Sequence, residues 1–426
     1  MKILIKNGRV IDPANGVDAI KDIYVDGGVI IAAPDNFTPE QTIDASGLWV
    51  APGLVDVHVH LRDPGLTHKE DIQTGTMAAA FGGYTTICAM PNTNPTMDNV
   101  NIVEKTYKKV NNYAIMDVLI VGAATLGLKG EILSDIKGMK EAGVCAISDD
   151  GFSVVDTQVA KRAFEACKAA GLTMFSHCED LRLVNGGVIN EGVVSEKFGL
   201  PGISSDSEDV FVARDIILAH STGARLHLCH ISTKGSTQIV RAAKSLGVNV
   251  TAECCPHHFA LSDADITTDD GNYKMSPPLR SEADKKAIIE ALKDNTIEII
   301  ATDHAPHHAD EKTGGFKSAM NGITGLETAL PLGITELVEK NVLTPSELIE
   351  KMSLNPAKLL GIKAGALTEG YPADIAIIDA DTPYEIDITK SKSKSKNSPF
   401  HGKRVKGRVV HLIKNGKILI QEGDLK

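Results

Sequence analysis

The chain has 426 residues, 42% hydrophobic and 23% charged, enough for a large single core or two domains in an ordinary globular protein. Lys and Arg number 44 against 55 Asp and Glu, a formal charge of −11, which argues against a protein that tracks nucleic-acid phosphates. No apolar stretch approaches the roughly 18 residues of a bilayer span, and the first residues lack a signal peptide's apolar segment, so neither membrane nor export is expected.

Residues 1 to about 50 read as short strands and turns: Ile3-Leu4-Ile5, Asn7-Gly8, Val10-Ile11-Asp12, then Ile23-Tyr24-Val25 before Asp26-Gly27-Gly28. The far end has the same character, with a strand over 374–379 and a hairpin over 409–418 that turns at Asn415-Gly416. Both ends are therefore expected to build one discontinuous β domain, 1–50 with 366–426, around a middle domain over 51–365. Seven scattered cysteines (88, 145, 167, 178, 229, 254 and 255), none in a CxxC pair, suggest reduced, buried thiols and a cytoplasmic protein.

Along the middle, apolar β-type runs alternate with helical patterns such as Glu70 to Phe81, Thr157 to Ala170 and Thr233 to Leu246. Strand ends are expected near His60, Met90, Val121, Ser148, Ser176, Cys229, Ala252 and Thr302. Eight strands separated by helices predict an α/β fold, a (β/α)8 TIM barrel. Lys390-Ser391-Lys392-Ser393-Lys394-Ser395-Lys396-Asn397, the one low-complexity stretch, predicts a solvated, mobile loop.

The first barrel strand ends in His58-Val59-His60, and residues i and i+2 of a strand share a face, so both imidazoles can reach one metal ion. Strand 4 runs into Asp149-Asp150, strand 5 into His177, strand 6 into His230 and strand 8 into Asp303-His304. All lie at the C-terminal ends, where barrels of this type carry their chemistry. Imidazole with carboxylate suits Zn²⁺ or a similar divalent ion, and the number of ligands exceeds what one tetrahedral zinc needs. Two ions bridged by a carboxylate and hydroxide would supply an activated water and polarise a carbonyl. Asp149 and Asp150 face opposite sides of the strand, so only one points inward.

These motifs resemble the amidohydrolase superfamily, whose members join such a barrel to a β domain formed from both termini. Locally they are similar to dihydroorotases of the long, class I or PyrC-like form. The most specific segments are Asp56-Val57-His58-Val59-His60-Leu61-Arg62-Asp63-Pro64-Gly65, Met90-Pro91-Asn92-Thr93, Ser148-Asp149-Asp150-Gly151, Pro277-Pro278-Leu279-Arg280 and Ala301-Thr302-Asp303-His304-Ala305-Pro306-His307. The resemblance implies that His58, His60 and Asp303 hold one zinc, His177 and His230 a second, and that Asp150 bridges them. It also implies that Asp303 moves the proton and that Arg62, Asn92 and His307 clamp a ring carboxylate. A guanidinium suits that task because it can donate two parallel hydrogen bonds to a carboxylate.

Two positions depart from the family pattern. Ser276 stands where Asn is common before Pro-Pro-Leu-Arg, and Asn321 stands where the family has an aromatic or small apolar residue, so only backbone contacts to substrate are expected at Asn321 and Gly322. Allantoinases and hydantoinases, the nearest alternative, place a CO₂-modified lysine on strand 4 as the bridge, and Val144 to Ser148 contains none. A non-catalytic partner of aspartate carbamoyltransferase is the farther alternative, and such relatives have lost ligands that this chain keeps. The resemblance also implies a small-molecule substrate, a homo-oligomer such as a dimer, and association with aspartate carbamoyltransferase in some members. Packing roles are expected for His68, His220, His227, His401 and His411, an outward position for His304, and no assigned role for His257 and His258.

Overall fold

The apolar runs of the middle segment form one eight-stranded parallel sheet whose neighbours follow chain order. In the computed structural model, which describes residues 1–426, these strands are β1 (Leu54–Val59), β2 (Tyr84–Ala89), β3 (Asp117–Gly122), β4 (Ala146–Ser148), β5 (Thr173–Ser176), β6 (Arg225–Leu228), β7 (Val250–Cys254) and β8 (Ile299–Ile300). The sheet curls until its edges meet. Val59 bridges His304 in parallel, and the His60 N–H donates to the His304 carbonyl at 2.9 Å. Below that point the Asp56 carboxylate accepts from the backbone N–H groups of His58 (3.0 Å) and Thr302 (3.2 Å) and does the work of a ladder. That is why β8 is shorter than its apolar run: its last hydrogen bonds go to a side chain. The result is a (β/α)8 barrel.

Val57, Cys88, Val121, Ala146, Phe175, Cys229, Ile299 and Ala301 fill the barrel interior, and a larger core lies between the strands and the outer helices. The helices start and stop where their caps stand. Asp156 accepts from the N–H groups of Gln158 and Val159 to open Thr157–Ala170, and Gly171, at φ 67°, closes it. Thr233 caps Lys234–Ser245 in the same way, through the N–H of Ser236. No helix is long and apolar enough to cross a membrane.

Strands from both termini share a second, seven-stranded sheet, in which Ile375–Asp379 lies between Trp49–Pro52 and Arg408–Lys414. Strand alternation makes this sheet a partition: Val50, Ile375, Ile377 and Ile413 face the β domain's own core with Ile3, Ile5 and Val25, whereas Ala51, Ala376, Ile378 and Leu412 face the barrel. The long apolar run Trp49 to His60 therefore serves two sheets. It breaks at Gly53, where a Cβ would stand 2.3 Å from the Thr85 hydroxyl oxygen, so only glycine lets the chain cross from one to the other.

The low-complexity stretch is an ordered strap rather than a solvated, mobile loop. Its period of two turns Ser393, Ser395 and Asn397 inward, where they are buried, while the lysines between them carry their charge outward. The Ser393 hydroxyl donates to Glu70, and the Ser395 hydroxyl donates to the Lys69 carbonyl at 2.6 Å. The strap is thereby held to the loop that follows β1.

A buried lysine ties the two domains together, paired with one exposed and one buried carboxylate. The Lys414 ammonium, 6% exposed, stands 2.6 Å from Asp117 at the foot of β3 and 2.7 Å from Asp374. Removing one member of a buried pair strands the other's charge, at a typical cost of about 3–5 kcal/mol. Lys414→Met is expected to lower the unfolding free energy by about 3 kcal/mol in urea titration, against a few tenths for Lys417→Met on the exposed side of the same hairpin.

Candidate metal centre

Three strand ends and the closed seam bring six side chains to one point at the C-terminal mouth. His58 and His60 leave β1 on one face, Asp150 follows β4, His177 follows β5, His230 follows β6 and Asp303 follows β8. Their donor atoms fall into two groups, His58 with His60 and Asp303, and His177 with His230 and Asp150. The Asp150 carboxylate stands between them: Oδ1 is 3.2 Å from His58 Nε2, 3.5 Å from His177 Nδ1 and 3.4 Å from His230 Nε2, and Oδ2 is 3.3 Å from His60 Nε2. Asp303 Oδ1 stands 3.0 Å from His60 Nε2 and 3.6 Å from His58 Nε2.

These separations test whether the residues fit a metal. Ligand atoms held at about 2.0–2.2 Å from a tetrahedral zinc stand roughly 3.3–3.5 Å from one another, the spacing seen here. Moreover, His58 Nε2 and Asp150 Oδ1 are buried without any hydrogen-bond partner. Buried polar atoms are rarely left unpaired, so two of them aimed at one point mark a place for a cation. Burial by itself would push the His58 imidazole down and the Asp150 carboxyl up, but each overrides it for the other. Asp150, Glu253 and Asp303 hold His58 well above its usual range, and His58, His177 and His230 hold Asp150 well below the carboxylate range. Against the same burial, Asp150 and Glu179 raise His177 to about 10. This is a focus of charge that a divalent ion would satisfy in place of protons.

Backbone strain accompanies the site. Arg62, His230 and Asp303 have φ of 59°, 36° and 46°, a region that costs a non-glycine residue about 1–3 kcal/mol. The strain at His230 explains a departure from expectation. His227 and His230 should face opposite sides of β6, but the left-handed turn breaks the alternation and both reach the interior. His227 is buried, as expected of a core residue, but it also hydrogen-bonds toward the cage: its Nε2–H donates to Glu253 Oε2 at 2.9 Å, and its Nδ1 accepts from the Thr251 hydroxyl at 2.8 Å. Glu253 Oε1 accepts from His58 Nδ1–H at 2.7 Å. With Nδ1 committed to Glu253, Nε2 is the nitrogen aimed at the centre and the one that a metal would take. Despite burial, His58 and His227 hold Glu253 at about 2, so it is ionised. Sequence reasoning missed Glu253; the available signal was an acid inside the otherwise buried run Val250 to Cys254.

His60 is oriented likewise, its Nδ1–H donating to Asn92 Oδ1 at 2.7 Å. Asn92 therefore orients a cage histidine with its oxygen, and its NH₂ lies over Gly151, 3.2 Å from where a Cβ would stand. Asp149 turns the other way, accepting from the N–H groups of Ala124 (2.7 Å) and Thr125 (3.0 Å), which leaves Asp150 in the cage.

Arg62 lies on the side of the cage nearest His60 and Asp303. It is 8% exposed; its Nε–H donates to the Pro306 carbonyl at 3.2 Å and its terminal nitrogen stands 3.3 Å from His307 Nε2. Burial, followed by the Arg62 charge, pushes His307 down to about 3, so its ring is neutral. Burial lowers Arg62 only to about 10, and it remains a cation.

The other expected substrate contacts are differently engaged. The Ser276 hydroxyl donates to Glu179 at 2.9 Å. The Asn321 carbonyl accepts from His307 Nε2–H at 2.8 Å. The Gly322 N–H donates to the Lys274 carbonyl at 3.0 Å, and its own carbonyl accepts from Lys312 (2.8 Å) and Asn397 (3.0 Å). Asn321 and Gly322 thus frame the side of the pocket next to His307, with the Asn321 carbonyl and both Gly322 backbone groups engaged within the protein. His304 points away from the cage, as expected, but is buried, donating to Glu70 at 3.4 Å and accepting the Gly325 N–H at 3.1 Å.

A closed barrel with six clustered His and Asp side chains at its mouth and a β domain from both termini defines a barrel enzyme of the amidohydrolase superfamily. A family profile described as "Dihydro-orotase-like" matches residues 47–236. A dihydroorotase from Geobacter metallireducens is 49% identical over 98% of this chain and 99% of its own. One from Acetivibrio thermocellus is also 49% identical, over 99% of each chain. Among solved structures, the L-hydantoinase (dihydropyrimidinase) of Arthrobacter aurescens superposes with TM-score 0.89 at 27% identity, covering 100% of this chain and 97% of that one. The D-hydantoinase of Thermus sp. gives 0.84 at 25%, covering 100% and 96%. The chain belongs to the dihydroorotase family.

Loss of a carboxylate that orients a metal-bound histidine typically costs 10–100-fold in metal affinity. Glu253→Gln is expected to weaken binding of an added divalent metal by about 10–100-fold in competition with a chromophoric chelator, with little change in far-UV circular dichroism. Unchanged affinity would mean that the His227–Glu253–His58 chain only packs the interior.

Proposed function

We propose that the protein catalyses the reversible closure of N-carbamoyl-L-aspartate to L-dihydroorotate and water, the ring-forming step of pyrimidine synthesis, as a class I, PyrC-like enzyme holding two zinc ions per subunit. The observation that carries this reading is the buried guanidinium of Arg62 beside a six-ligand His/Asp cage, an anion site within reach of a hydrolytic centre. Identity near one half over the whole chain with dihydroorotases supports it.

Bound among His58, His60, Asp150, His177, His230 and Asp303, zinc would supply an activated water at neutral pH and polarise the amide carbonyl. In the hydrolytic direction Asp303 accepts the proton of the attacking water and delivers it to the ring nitrogen as the C–N bond breaks. In synthesis it returns the proton to the departing water. Its carboxyl is suited to wait as a base, because His58 and His60 hold it far below the ordinary range against the effect of burial. Arg62 grips the ring carboxylate, the Asn92 NH₂ donates to it, and neutral His307 closes the side of the pocket. Closure from a carboxylate consumes a proton, so acid favours the ring and alkali the open form.

The structural likeness to hydantoinases keeps one competing reading, a cyclic-amide hydrolase for uncharged rings. Against it stand the absence of lysine from β4, which reads Ala146-Ile147-Ser148, and the presence of Arg62. A site built to bind a charged group rejects ligands that lack it, so dihydroorotate should exceed hydantoin and allantoin in kcat/KM by about 10⁴-fold. Comparable turnover of hydantoin would sink the assignment.

Asp303→Asn is expected to lower kcat by about 10²–10⁴-fold while most of the zinc measured by plasma emission stays bound. Because His307 is held near 3 and Arg62 near 10, neither changes charge between pH 6 and 9. The KM for dihydroorotate should be flat across that range, and a rise with a midpoint near 6.5 would mean that His307 binds substrate as a cation.

A further inference from the structure

The chain beyond the barrel reaches the backbone around His307 through Asn397. Asn397, the last of the inward-facing strap residues, is 4% exposed. Its Oδ1 accepts the His307 N–H at 3.0 Å, and its NH₂ donates to the carbonyls of Ala305 (3.1 Å) and Gly322 (3.0 Å). The Asn397 carbonyl in turn accepts the Thr324 N–H at 2.8 Å. Every hydrogen-bonding group of the side-chain amide is thus engaged except one oxygen lone pair. All three partners are backbone atoms of the two arms, 305–307 and 321–324, that frame His307.

The two arms are also joined directly, through the Ala305 N–H to the Ile323 carbonyl at 2.8 Å and His307 Nε2–H to the Asn321 carbonyl at 2.8 Å. What Asn397 adds is the hold on the His307 backbone N–H, which sets the direction in which the imidazole leaves the chain. Because the amide is planar, an oxygen fixed on one arm and a nitrogen fixed on both arms lock their relative placement. The other end of the strap is tied to the loop after Arg62: Ser395 donates to the Lys69 carbonyl at 2.6 Å, and the Lys394 ammonium donates to the Thr67 carbonyl at 2.6 Å.

We propose that Asn397 is a positioning residue for substrate, the amide by which the segment outside the barrel holds His307 against Arg62 and so shapes the carboxylate pocket. This rests on the reading of Arg62 and His307 as a carboxylate clamp. Asn397 touches none of the cage ligands, so its contribution falls on binding and not on the metal or the proton transfer. Substitution therefore raises KM and leaves kcat nearly unchanged, the signature of an interaction lost equally from ground and transition states.

The test uses the zinc-loaded enzyme and initial rates with dihydroorotate for Asn397→Ala, Asn397→Asp, His307→Ala and, as a surface control, Lys390→Ala. Asn397→Ala is expected to raise KM about tenfold with kcat within about threefold of wild type and an unchanged zinc content. Asn397→Asp is isosteric and keeps the acceptor for His307 N–H, but it turns an oxygen toward the Ala305 and Gly322 carbonyls. It should be at least as impaired in KM, and it decides the matter if the alanine variant does not fold. Lys390→Ala should match wild type. Wild-type KM in both Asn397 variants, with KM raised in His307→Ala, would overturn the positioning role and leave the clamp standing. A wild-type KM in His307→Ala would overturn the clamp and the positioning role together. Loss of zinc and of kcat in the Asn397 variants would also overturn the proposal, since it would show a general collapse of the mouth.

Discussion

Everything at the mouth depends on the seam where the first and last barrel strands meet. His58 and Asp303 are far apart in sequence and come within 3.6 Å only because the sheet closes through the His60 N–H, the His304 carbonyl and the Asp56 carboxylate. A side chain standing in for part of the ladder frees the end of β8 to turn into the left-handed conformation, at Asp303 φ 46°. That turn aims the carboxylate inward. The strain is sustained because the surrounding barrel over-determines the position.

Around that seam the site is built in layers of decreasing charge. At the centre, four imidazoles and two carboxylates crowd to the spacing of metal ligands. Behind them, Glu253 and Asn92 accept the outward N–H groups of His58 and His60 and fix which nitrogen faces the centre. Behind Glu253, His227 and Thr251 complete a buried chain that ends in a neutral hydroxyl. Each layer satisfies the polar groups of the one before it, which is what allows so many ionisable residues to sit in an apolar barrel. The rim adds the opposite sign through Arg62.

The β domain acts on the barrel in two ways. Its central sheet buries one face in each core, and Lys414 joins it to the foot of β3. Its strap crosses to the far end, where the His/Asp cage lies, and engages the loops after β1 and β8. The domain built from both termini therefore grips the barrel at both ends.

The order of elements, the barrel and the clustering of histidines and aspartates at its mouth were legible in the chain because each rests on local rules: apolar runs, helical periodicity, and histidines or aspartates where runs end. The i, i+2 spacing of His58 and His60 declared a shared face without reference to the rest of the protein. Three things were not legible, and each for a physical reason. His227 reads as packing alone because alternation along β6 holds only until the backbone flips at His230. The lysine–serine stretch reads as solvated because its composition is polar, yet its period of two becomes a buried face once Glu70 and the Lys69 carbonyl are there to accept. Glu253, Asn397, and the engagement of Gly322 by Lys312 and Asn397 all depend on partners distant in sequence. The sequence by itself determined which side chains could bind metal and anion; only the tertiary structure decided how they are oriented, because orientation is set by hydrogen bonds between segments that meet only after the barrel closes.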